Sequence, residues 1–208
     1  SYAPDTTDSE LVHITISLES GPSGTFKSHA TNVMTNLMGF NISMASSIDT
    51  ADVYYFEDWM ASGFINTFST SLPQTTNLRV VNHSWQQAYV SDLSNDRGLS
   101  GIDFTVEEDD LLQITGATNN TSHLLADAYN DIGVNDIPLP SDSAFSTSAI
   151  TGSTTYTGGR VKTELVAPGY FPDGGTSMAP SWAVPIVSAA SALLLETAGN
   201  DSTLSNRT

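Results

Sequence analysis

The chain has 208 residues, 39% of them hydrophobic, which is enough for one domain with a sizeable core and too apolar for a disordered tail. Six Lys and Arg stand against 23 Asp and Glu, a net charge of −17, so phosphate backbones and anionic membrane surfaces are poor partners. There is no cysteine, which excludes disulfides, thiolate metal sites and a cysteine nucleophile.

Strand-like and helix-like stretches alternate. Leu11 to Leu18 (LVHITISL) reads as a strand from its alternation and β-branched content, and Gly21, Pro22 and Gly24 then mark a loop. From His29 to Met38, apolar Val33, Met34, Leu37 and Met38 recur at helical spacing. A second strand follows over Ala51 to Phe56, a helix over about 58–68, and a third strand over Leu78 to Trp85. Leu99 to about Glu108 has a helical pattern, and Leu111 to Thr118 reads as a fourth strand. The stretch 119–159 is rich in Ser, Thr, Asn and Gly, with a short strand candidate at Asp131 to Val134. Leu165 to Ala167 is another short strand, and 176–198 a long apolar helix. The run Ile186 to Leu195 is interrupted by Ser188 and Ser191 and reads as a buried helix, not a membrane span.

This order predicts an α/β fold, a mostly parallel β-sheet with helices on both faces, in one domain over residues 1–208. Residues 199–208 read as a polar tail or the start of a continuation. The acidity and lack of cysteine fit an extracellular or cell-surface protein. No cofactor is assigned. The carboxylate excess is compatible with a calcium site, but no ligand set stands out.

The strongest local signal is Gly175-Thr176-Ser177-Met178-Ala179-Pro180. Small residues put a hydroxyl at the start of a hydrophobic helix, where unpaired N–H groups and the positive dipole end favour a developing oxyanion. Pro180 fits the first turn, where its missing N–H costs nothing. On chemistry alone, Ser177 is either a nucleophile or a helix cap. Asn-x-Ser/Thr triplets occur at several positions, and the one at Asn82 falls in an expected buried strand, which disfavours glycosylation there.

GTSMAP, with Glu164 to Gly169 (ELVAPG) before it, resembles the serine motif of the subtilisin-like serine proteases. Ser28 to Met34 (SHATNVM) is similar to that family's histidine motif, with Ala30 for glycine and Met34 for alanine. The resemblance implies a subtilisin-like fold and a serine endopeptidase acting on polypeptides. In that reading Ser177 is the nucleophile and His29 the general base. Glu19 replaces the usual aspartate as the acid, with Asp5 and Asp8 as alternatives. Asn119 would serve the oxyanion hole. His83, Ser84 and Trp85 would sit on the strand that binds substrate, with Trp85 restricting the cleft. Thr118 and Gln86 stand where glycine is usual. These departures leave open a second reading, a binding or structural module with impaired catalysis.

Overall fold

The computed structural model describes residues 3–21, 26–75, 77–85, 92–116, 132–137, 154–155, 161–162, 164–169, 179–201 and 203. Within them, β1 (Thr15–Leu18) pairs with β2 (Thr50–Val53), in parallel, with Thr15 opposite Thr50. A four-stranded parallel sheet has the order β3 (Val80–His83), β4 (Leu112–Gly116), β5 (Ile132–Ile137), β8 (Leu165–Pro168). A short antiparallel pair, β6 (Thr154–Thr155) and β7 (Val161–Lys162), stands apart. The helices are α1 (Ser28–Met38), a single turn α2 (Phe56–Asp58) running into a π-helical turn (Trp59–Gly63), α3 (Asp92–Asp109) and α4 (Pro180–Asn200). This is an α/β fold, as the alternation of elements predicts.

Strand β3 of the larger sheet divides its side chains between two cores. On β3, Val80 packs with the cluster of Ile114, Val134, Ala167, Ala183 and Val184, beneath α4. Val81 turns the other way, to Trp59, Met60, Phe64, Ile65, Ile102 and Leu111. That alternation is the period-two geometry of a strand covered on both faces. A third core, Leu11, Ile14, Met34 and Met38, lies under α1 and the β1–β2 pair.

Helix α4 has the length and hydropathy of a membrane span, and it packs along β3, β4, β5, β8 and α1. Its buried face includes Trp182, Ala183, Val184 and Ala189. Pro180 occupies the first turn as expected; Pro185 lies inside the helix and is buried. Gly116 ends β4 beneath this helix. A Cβ there would lie 3.3 Å from a Val184 methyl and 3.6 Å from Pro180 Cβ, so only glycine lets the first turns of α4 settle on the strand end without displacement.

Three local expectations change. The expected strand from Leu11 begins only at Thr15, because residues 6–13 turn on themselves and bury Leu11 and Ile14 from a loop. The expected helix over 58–68 stops at Gly63, and Asn66 takes a left-handed conformation (φ 60°) with its amide donating to Leu72 O. Helix α3 begins well before Leu99 and passes through Gly98 and Gly101. A Cβ on Gly101 would come within 2.5 Å of an Ile65 methyl, so close packing requires this glycine inside a helix.

Candidate functional site

Helices α1 and α4 converge at their N-terminal ends. His29 is the second residue of α1, and its imidazole lies against the indole of Trp182, in the first turn of α4. The ring centroids are 5.0 Å apart, with the planes inclined at 43°. About two helical turns beyond His29, near the other end of α1, Asn36 Nδ2 donates to the backbone carbonyl of Trp182 at 3.3 Å. The start of α4 is tied in turn to the end of β8, where Ala179 N donates to Gly169 O at 3.3 Å. Four pieces of chain therefore meet around Trp182: the end of β8, the end of β4 at Gly116, the face of α1 from His29 to Asn36, and the start of α4.

Burial holds the His29 pKa below the ordinary imidazole value of 6.5. The ring is thus neutral at pH 7, the state a general base needs. Desolvation is the cause of the shift, and among the described residues no carboxylate acts on the ring. A carboxylate beside the ring would push the other way.

That observation bears on the acid. Glu19 is exposed at the end of β1, its backbone N–H donates to Val53 O at 2.9 Å, and its charge acts on Tyr54, whose pKa is raised by burial, then by Asp52 and Glu19. It is not a partner of His29. The alternatives fare no better: Asp5 Oδ1 accepts from Thr7 N and Oγ1, and Asp8 Oδ1 accepts from Glu10 N. The expected Ser177–His29–Glu19 triad therefore does not stand. The bond from Glu19 N to Val53 O of β2 keeps the residue on the β1–β2 side. Ser177 and Asn119 lie outside the described residues.

The expected substrate-binding residues are placed differently from one another. His83 is buried, and both ring nitrogens are engaged. Trp85 Nε1 donates to His83 Nδ1 at 3.2 Å, so Nδ1 is the acceptor and the proton sits on Nε2, which donates to Gln113 Oε1. Gln113 Nε2 donates to Thr105 Oγ1 at 2.8 Å, and Thr105 Oγ1 donates to Ile102 O at 2.9 Å. Burial lowers the His83 pKa to about 4, the bond to Gln113 opposing it. His83 is thus a neutral link between β3 and α3. Ser84 Oγ accepts from Asn82 Nδ2 at 2.9 Å, and Asn82 Oδ1 accepts from Ser188 Oγ of α4 at 3.2 Å. Trp85 leans on Phe56, with centroids 4.9 Å apart. His13 packs edge-on against Phe40 and is remote from this set; His123 lies outside the described residues.

Beside His29 opens a cavity of about 1250 Å³, lined by α1, β2, β3, the Trp59 region and the outer half of α4. Its wall is mostly apolar. Its charged groups are Lys27, Asp52, Arg79, Asp110 and Glu196, with His29 and Asn82 among the polar ones. Among the described residues no cluster of three or more His, Asp or Glu could hold a metal ion.

Sequence reasoning missed Trp182 and Gln113. Gln113 carried a signal: an amide inside the apolar run LLQITG must find a buried partner. Trp182 follows Pro180 by two residues, but nothing in the sequence says that its ring meets His29.

No family model matches the chain, and no curated protein matches it. Among solved structures it is similar to the prenylagaramide maturation protease PagA, with a TM-score of 0.57 at 18% identity. The likeness covers 94% of this chain and 73% of that one. It is a likeness of fold. The expected membership in the subtilisin-like serine protease family does not stand: no family-level match carries it, and the expected acid Glu19 does not act on His29.

Proposed function

We propose that the chain is a peptidase in which His29, without Glu19 as its acid, serves as the base for the Ser177 hydroxyl. The observation that carries this reading is the contact of His29 with Trp182 at the start of α4. Ser177 precedes Ala179 by two residues, so chain length alone keeps its Cα within roughly 7–8 Å of that residue. Ala179 in turn immediately precedes the first turn of α4, which carries Trp182.

The chemistry follows from these groups. Neutral His29 takes the hydroxyl proton as Ser177 attacks a peptide carbonyl, and returns it to the leaving amine. Donors at the α4 N-terminus favour the tetrahedral oxyanion. The fold likeness to a maturation protease supports a peptide substrate over other acyl compounds. The apolar cavity beside His29 supports the same choice.

Casein or peptide-pool hydrolysis by the wild type, by Ser177→Ala and by His29→Ala tests the reading. Each variant is expected to lose turnover by a factor on the order of 10³ or more. Hydrolysis at the wild-type rate by either variant overturns it.

A further inference from the structure

The cavity beside His29 has the form of a place for one more strand. Residues 50–54 of β2 and its continuation line it without a gap, and so do residues 78–85 along β3. A strand that shows one face to a cavity contributes alternate residues. Unbroken runs mean that both strands turn their backbone edges toward the space. Among the described residues, β2 pairs only with β1 and β3 only with β4, so each keeps an edge without a strand partner. One side of the space is formed by α1 (Val33, Leu37) and α4 (Ala192, Leu195), and the other by Trp59 and Leu111. Helical layers therefore cover the gap on both faces, as they cover the strands beside it.

We propose that this cavity takes an extended polypeptide segment with apolar side chains, which enters as a strand between the edges of β2 and β3 and runs from His29 along α4. The link to His29 rests on the peptidase reading; the slot itself does not. Edge N–H and C=O groups facing an apolar space need hydrogen-bond partners, which a polypeptide backbone supplies and a lipid chain does not. The lining on α4 runs from Ser188 to Gly199, about 16 Å of helix axis, which matches roughly five extended residues. Asp52, Asp110 and Glu196 outnumber Lys27 and Arg79 along the wall, so neutral or basic segments are favoured over acidic ones.

The test uses the full chain carrying Ser177→Ala, so that nothing is cleaved, and a fluorescein-labelled peptide of five consecutive valine and alanine residues with a lysine at each end. Saturable binding by anisotropy is expected. N-methylation of alternate backbone amides is expected to weaken it at least tenfold, as is Ala192→Trp, which fills the slot. A photo-crosslinking valine analogue in the same peptide, on protein without the Trp change, should attach within 50–54 or 78–85; this holds the proposal to account should Ala192→Trp fail to fold. Equal binding of the N-methylated peptide, or crosslinks elsewhere, overturns the proposal. So does dodecanoate, which has no amide backbone, binding the slot more tightly than the peptide. Slot binding with an inactive wild type removes the catalytic reading alone; hydrolysis with no slot binding removes the slot alone.

Discussion

The imidazole of His29 rests on the indole of Trp182, 5.0 Å between centroids, and this pair joins the starts of two helices that are 153 positions apart in the sequence. The contact both places the base and dries one side of it. Trp182→Ala removes that shield, so the His29 pKa, followed by NMR titration, is expected to move up toward 6.5. The same change empties a buried site and should cost on the order of 3–5 kcal/mol. Trp182→Phe, which keeps a ring, should move both quantities less. A His29 pKa unchanged in Trp182→Ala contradicts this role for the indole.

The lowered His29 pKa also sets the pH profile. The base is active when neutral, so kcat/KM should rise with pH and level off through an inflection below 6.5. An inflection above 6.5 would show a carboxylate acting on the ring after all.

Glu19→Gln tests the corrected acid directly. A serine-protease acid changed to its amide loses a factor on the order of 10⁴ in turnover. Here the charge of Glu19 acts weakly on Tyr54 and not on His29, so turnover should stay within about threefold of wild type, an effect of less than about 0.7 kcal/mol. Steady-state kinetics on one good peptide substrate decide it.

His83 makes a separate prediction about stability. Its folded-state pKa is about 4, against an ordinary 6.5. Between those values the unfolded chain binds a proton that the folded chain does not, so stability falls as pH drops from 6.5 to 4 and is indifferent to this group above 6.5. The full difference is roughly 3 kcal/mol. Urea denaturation at pH 7 and pH 4 should show a larger loss for wild type than for His83→Leu. Equal losses contradict a buried neutral imidazole.

Much of this arrangement was legible in the sequence. Helix α1 shows its apolar stripe, α4 its long hydrophobic run, and β3, β4, β5 and β8 their β-branched content, because burial on a parallel sheet selects for those patterns. Helix α3 was half hidden, since Gly98 and Gly101 weaken a helical signal while close packing against Ile65 requires Gly101. The convergence of His29 with the start of α4 was implied by motif order. What the sequence could not show is where Glu19 goes. A carboxylate at the end of a strand can face either neighbour, and only the pairing of β1 with β2 directs it to Tyr54. His83 is a similar case: its neighbours in sequence do not reveal Gln113, 30 positions away.

The central claim is that His29 activates Ser177 without Glu19. Fluorophosphonate labelling, with the modified residue located by mass spectrometry, tests it most directly, since labelling needs an activated hydroxyl and no knowledge of the substrate. The account predicts a single adduct on Ser177 in the wild type, retained in Glu19→Gln and lost in His29→Ala. An adduct on another residue, or labelling of Ser177 that survives His29→Ala unchanged, would contradict it.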